Sequence, residues 1–216
     1  MSLNNPSAKE SILQKIRKGL QIANFKKIEE INLDNKEIYI TQDKPLIEIF
    51  EEELKKVSGE FYFCQNEQDI KTKLIDLHAE YKLDLCYSPE PGFENIIAHS
   101  GIPFIKEFIR ENEIKSGISS CEFLIARFGS VMVSSALAGG RRIFSFPEIH
   151  IVIARQEQLV LELEEALEGI NKRYGNNLPS QITNIAGPSR TADIEKTLIL
   201  GAHGPKRLIV FVLKSK

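Results

Sequence analysis

Apolar positions along this chain recur with helical spacing in some stretches and run continuously in others. Behind Ser7-Ala8-Lys9-Glu10, a capping box, Ile12, Leu13, Ile16 and Leu20 recur at the spacing of one helix face, which predicts an amphipathic helix at the start. From Asn24 to Asp43 the periodicity fades and charge rises, so this stretch reads as a loop or a connection to the main body. Asp43 ahead of Lys44-Pro45 starts a second helix with Leu46, Ile47, Phe50, Leu54 and Val57 on its apolar face and Gly59 past its end. Phe61-Tyr62-Phe63-Cys64 reads as a buried strand. Asn66 caps a third helix carrying Ile70, Leu74, Leu77 and Tyr81, and Leu83 to Tyr87 reads as another strand.

The second half continues the alternation. Phe93 to His99 predicts a short helix ended by Gly101, and Ser119-Ser120-Cys121-Glu122 has the form of a second capping box opening another helix. Strands at Val131-Met132-Val133 and Ile149 to Ile153 flank the Gly139-Gly140-Arg141-Arg142 turn. Gln156 to Arg173 predicts a long helix with Leu159, Leu163, Leu167 and Ile170 at regular spacing, released near Gly175; strands around Ile182 and from Leu208 to Leu213 follow. Continuous Val/Ile/Leu strands alternating with helices predict an α/β fold, a mostly parallel sheet with helices on both faces and a helical N-terminal extension. The expected division is 1–43, helix and connection, and 44–216, the α/β domain.

Composition narrows the partners. The 216 residues are 42% hydrophobic and 27% charged with a formal net charge of −2, and no long basic run offers a footprint for nucleic acid or an anionic membrane. No apolar run approaches the ~20 residues that span a bilayer, and Met1 to Pro6 lack the basic and apolar segments of a leader, so the expected location is cytoplasmic. Cys64, Cys86 and Cys121 are far apart in apolar contexts, which predicts buried free thiols rather than a disulfide framework or a cluster motif. No pair of histidines has metal-ligand spacing, so neither a metal nor a cofactor is expected.

The residues that carry chemistry are concentrated near the C-terminus. Gly187-Pro188-Ser189-Arg190-Thr191-Ala192-Asp193-Ile194-Glu195 is followed, after a short link, by Gly201-Ala202-His203-Gly204-Pro205. Glycine permits positive φ or close approach, proline stiffens the turn, and Ser189, Arg190 and Thr191 can donate hydrogen bonds to an anion. The loop follows the strand at Ile182 to Ile185, the side of a sheet where ligands of open α/β folds sit, and its backbone N–H groups could form an anion nest. A rigid turn whose hydroxyls satisfy local backbone groups is the alternative. Asp193 and Glu195 could serve as base or magnesium ligand, or bond the loop's own backbone. His203, between small residues, is the histidine most open to a ligand, whereas His150 alternates within an apolar strand and reads as a satisfied core residue. Seven of the nine arginines follow Gly117, a skew that favours an anionic ligand or partner; Arg173, on the long helix, reads as a solvated charge.

The same segment resembles the signature of the LUD domain, the lactate-utilization protein C family, whose members carry Gly-Pro-Ser-Arg-Thr-Ala-Asp-Ile-Glu, then Gly-x-His-Gly-Pro and a final strand. The resemblance covers about Gly117 to the C-terminus. It implies the α/β sandwich of NagB, RpiA and the CoA-transferases, and work beside two iron–sulfur partners that oxidise L-lactate to pyruvate. With three scattered cysteines this chain resembles the cluster-free member. At Ala126-Arg127-Phe128-Gly129-Ser130 many members carry an acidic residue and a threonine before the glycine; Arg127 and Phe128 stand here instead, which removes a candidate catalytic carboxylate. Gly129 and Ser130 remain candidates to line a pocket. The resemblance therefore implies an accessory or regulatory subunit, with a stand-alone enzyme acting on a phosphorylated or carboxylated small molecule as the alternative.

Overall fold

The computed structural model describes residues 8–22, 44–109, 113–191, 199–201 and 203–215. The chain divides into two compact units, Met1–Gln42 and Asp43–Lys216. In the first, helix α1 spans Ala8–Ile22; Ser7 and the stretch from Asn24 to Asp43 lie outside the described residues.

The second unit opens with α2 (Leu46–Lys56), which starts after Pro45 and buries Ile49, Phe50 and Leu54. It is followed by β1 (Glu60–Cys64), α3 (Glu67–Tyr81), β2 (Cys86–Tyr87), α4 (Glu94–His99) and β3 (Phe104–Ile105). Asn66 caps α3 as its sequence position demands, its side-chain oxygen accepting from the backbone N–H groups of Gln68 and Asp69 at 2.8 and 3.2 Å. Then come β4 (Ser116–Ser119), β5 (Phe123–Ile125), β6 (Ser130–Ser134), β7 (Ile149–Arg155), β8 (Leu159–Val160), α5 (Leu163–Tyr174), β9 (Ile182–Ile185), β10 (Arg190–Thr191), β11 (Ile199–Leu200) and β12 (Arg207–Leu213).

Six strands form a wholly parallel sheet in the order β1-β12-β7-β4-β2-β3. Its central strands β7 and β12 are buried on both faces, which is why they read as unbroken Ile/Val runs. Side chains of alternate parity divide between the two faces. Ile149, Ile151, Ile153, Ile209 and Phe211 pack with Ile70, Leu74 and Leu77 of α3 and Ile96 and Ile97 of α4. Val152, Ala154, Leu208, Val210 and Val212 pack the other way, against α2 and a second sheet.

That second sheet was not expected. It has four strands in the order β8-β5-β6-β9, with β6 antiparallel to both β5 and β9. The strands at Val131 and Ile182 belong to it, not to the parallel sheet, and its far face carries Ala166 and Ile170 of α5. The arrangement is therefore mostly parallel α/β with an extra sheet between α2 and α5.

Two expected helices give way to strands. The Ser119–Glu122 signature opens no helix, because Ser119 ends β4 and the Glu122 N–H donates to the Met132 carbonyl at 2.8 Å, leading into the β5–β6 pair. The segment from Gln156 begins with a short turn and β8, which pairs with Leu124 and Ile125, so α5 starts only at Leu163. Cross-strand partners distant in sequence outweigh the local helical pattern.

Glu122 itself is fully buried. It accepts hydrogen bonds from Ser134 Oγ at 2.5 Å, from Tyr174 Oη at 2.6 Å and from the Arg173 guanidinium. Arg173 is thus the partner of a buried carboxylate, and its reading as a solvated charge is corrected. All three cysteines are buried free thiols, and burial pushes Cys64 up to about 11 and Cys86 up to about 12. Among the described residues no helix is long and apolar enough to cross a membrane.

Candidate functional site

The Gly187 loop reaches its place through contacts at both ends. Gly187 has φ of +76°, and a Cβ there would lie 2.1 Å from the Val57 carbonyl oxygen at the end of α2, so only glycine fits this approach. The exposed Arg190 donates from its guanidinium to that same carbonyl, which satisfies a helix C-terminal acceptor. Beyond it, β10 pairs antiparallel with β11, setting Arg190 opposite Leu200 and Thr191 opposite Ile199. This pairing folds the second half of the motif back onto the first. Ser189 N–H donates to the Pro205 carbonyl at 2.8 Å and Gly201 N–H to the Ser189 carbonyl at 2.9 Å, so part of the expected backbone nest is spent on internal bonds.

The juxtaposition forms a partly open cavity of about 200 Å³ lined by Gly187, Ser189, His203, Gly204, His150 and Asn184, with apolar walls from Phe144, Ile185, Pro205 and Leu208. It lies between the two sheets. Although the loop leaves the carboxyl end of β9, that strand belongs to the second, mixed sheet, where it pairs antiparallel with β6, while His150 and Leu208 stand near the amino ends of parallel strands β7 and β12. The position expected from open parallel sheets is therefore not the one occupied. His203 is exposed and also borders a wider depression of about 790 Å³ with Asp84, Lys115 and Glu148. Lys115 and Lys206 donate to the Glu148 carboxylate at 2.9 and 3.1 Å and hold its pKa below the usual carboxylate range.

The remaining candidates are placed elsewhere. Gly129, with φ of +54°, brings the β5–β6 turn against α2, where a Cβ would lie 2.0 Å from the Leu54 backbone nitrogen. Ser130 is buried beside it in β6, and neither residue lines the cavity described. Thr191 is half-buried in β10. Asp193 and Glu195 lie outside the described residues. The arginines do not converge on one anion site: Arg127 pairs with Glu162, Arg141 donates to Ser180 Oγ, Arg142 stacks on the Phe108 ring and Arg207 pairs with Glu60.

His150 is the residue the sequence pattern concealed. It is fully buried, and burial holds its pKa down to about 4. Nε2 lies 2.9 Å from Ser119 Oγ, but Nδ1 has no hydrogen-bond partner among the described residues. It is thus a half-satisfied histidine on a cavity wall, not a satisfied core residue. The available signal was its parity: His150 shares the inward face of β7 with Val152 and Ala154, at the end of the strand nearest the His203 motif. Among the described residues no three His, Cys, Asp or Glu side chains are grouped to hold a metal ion.

The comparisons with known proteins bear on this same region. The LUD domain family model matches residues 47–213, well over half of the chain. An uncharacterized protein of Neisseria meningitidis serogroup B is 35% identical over 100 residues, covering 46% of this chain and 42% of that one. Lactate utilization protein C of Shouchella clausii is 34% identical over 113 residues, covering 51% and 49%, and the protein of the same name from Oceanobacillus iheyensis is 34% identical over 139 residues, covering 63% and 59%. The chain thus spans about half the length of the curated relatives it matches. A crystal structure of a DUF162 family protein from Deinococcus radiodurans superposes with a TM-score of 0.59 over 78% of this chain and 96% of that one, at 16% identity, which establishes a shared fold. With the family model matched across nearly the whole α/β unit, the chain belongs to the LUD domain family.

Proposed function

We propose that this chain serves L-lactate utilization as an accessory or regulatory subunit of an iron–sulfur system that oxidises lactate to pyruvate, working in the cytoplasm, and that the inter-sheet cavity is its site for a small anionic ligand. The observation that carries the reading is that cavity. It gathers Gly187, Ser189, His203 and Gly204, from both halves of the segment that carries the family signature, around one space of about 200 Å³. Relatives named lactate utilization protein C supply the metabolic context. Removing two electrons and two protons from lactate needs an acceptor that amino-acid side chains do not provide, so in this reading the electrons go to the iron–sulfur partners. The alternative, a stand-alone enzyme on a NagB/RpiA/CoA-transferase-like fold acting on a phosphorylated or carboxylated substrate, draws on the same cavity and its buried imidazole.

Deletion of the gene tests the metabolic assignment. The expected result is loss of growth on L-lactate as carbon source with growth on pyruvate unchanged, restored by a plasmid copy. Unimpaired growth on L-lactate overturns it.

A further inference from the structure

The carboxyl ends of the parallel strands, where ligands of open α/β folds sit, carry a cavity of their own. It is partly open and measures about 250 Å³. Every parallel strand except the edge strand β3 brings a residue to it: Glu67 follows β1, Glu90 follows β2, Ser120 follows β4, Arg155 ends β7 and Leu213 ends β12. It shares no lining residue with the inter-sheet cavity and draws none from the Gly187 to Pro205 segment. Glu90 stands between Pro89 and Pro91, so the turn that presents it is stiff on both sides.

The Glu90 carboxylate is only half matched. Its Oε1 accepts from the Ser120 hydroxyl, whereas Oε2 is buried and has no hydrogen-bond partner among the described residues. None of the ion pairs among those residues includes Glu90. A buried carboxylate oxygen without a donor is unfavourable, and a charged donor is its strongest match. The lining carries two carboxylates, Glu67 and Glu90, against the single guanidinium of Arg155, so it favours a cationic group over an anion. The amino end of α3 does not reverse this, because Asn66 accepts two of its first N–H groups and Glu67 and Asp69 already occupy its first turn. Phe93, Ile96 and Leu213 add apolar wall. We infer that this cavity binds a small compound bearing a primary ammonium on a short apolar chain, the ammonium donating to Glu90 Oε2. The lactate role plays no part in this inference, and the growth experiment does not bear on it.

Ligand-observed saturation-transfer NMR with the full chain tests this, using four probes that share one branched alkyl body. Isopentylamine and L-leucine carry the ammonium, while isopentanol and 4-methylpentanoate do not. The expected result is saturable binding of the two ammonium compounds, with the alcohol and the acid about ten-fold weaker or more. Glu90→Gln should bring isopentylamine down to the level of isopentanol, about a ten-fold loss, while Glu168→Gln, at a carboxylate that pairs with Lys172 on the surface of α5, should change nothing. Tighter binding of L-leucine than of isopentylamine, removed by Arg155→Met, identifies the compound as an amino acid whose carboxylate meets Arg155; equal binding identifies a simple amine, and both support the inference. Equal binding of isopentylamine and isopentanol by the wild type, binding of none of the four, or an ammonium preference that survives in Glu90→Gln overturns it. Should Glu90→Gln fail to fold, the ranking of the four probes on the wild type still decides.

Discussion

Alanine at Gly129 is expected to destabilise the protein by roughly 3–5 kcal/mol, whereas alanine at Gly140 should cost only about 1–2 kcal/mol. Both glycines have φ of +54°, so the conformational penalty of an L side chain is the same at both. Their surroundings differ. At Gly140 an added Cβ meets nothing within 4 Å, while at Gly129 it lies 2.0 Å from the Leu54 nitrogen and 2.3 Å from the Glu53 carbonyl carbon, both backbone atoms of α2. A helix backbone cannot move aside as a flexible side chain would, so the β5–β6 turn must lift off α2 and open the core around Leu54, Leu124 and Val131. Thermal unfolding followed by circular dichroism reads the difference: roughly 10 °C or more of depression for Gly129→Ala against a few degrees for Gly140→Ala. Equal depressions would show that the close approach to α2 contributes nothing.

Arg173→Met is expected to cost about 3 kcal/mol, despite changing a residue whose side chain is 47% exposed. Its partner decides the effect. Glu122 is 0% exposed and, among the described residues, keeps Ser134 and Tyr174 as side-chain donors once the guanidinium is gone, leaving a buried carboxylate without its countercharge. Breaking a buried pair usually costs about 3–5 kcal/mol, and the half-exposed arginine places this case at the lower end. The adjacent Lys172→Met is the comparison. Lys172 pairs with Glu168 at 3.6 Å on the surface, and its loss should change stability by no more than about 0.5 kcal/mol. Urea denaturation of the two variants measures both values, and indistinguishable midpoints would mean that Arg173 is a solvated charge after all.

These two sites mark where the sequence could be read and where it could not. Pro45 before α2, the Asn66 cap of α3 and the Ile/Val runs of β7 and β12 are local features, and each is legible because its cause lies within a few residues. The second sheet is not legible in this way. Val131 to Val133 looks the same whether it joins a parallel or an antiparallel sheet, and its antiparallel pairings with β5 and with Thr183 to Ile185 decide. Glu122 reads as the end of a capping box because the partners that bury it, Ser134, Arg173 and Tyr174, lie 12, 51 and 52 residues away.

The candidate site divides along the same line. Its glycines, Ser189 and His203 were visible in one dense stretch, and the β10–β11 pairing brings the two halves of that stretch together. The state of His150 is hidden because it depends on a serine 31 residues earlier, and Arg190, legible as a donor, has a carbonyl partner 133 residues away that is not. Gly187 was singled out for a shaped loop, and its positive φ and tight fit against Val57 give the physical reason.

If the chain is a subunit that serves lactate oxidation without turning lactate over alone, L-lactate-dependent dye reduction should be absent with the purified chain and should appear once the iron–sulfur proteins of a lactate-oxidising system are added. Sustained turnover by the isolated chain, with bound flavin excluded, would contradict it.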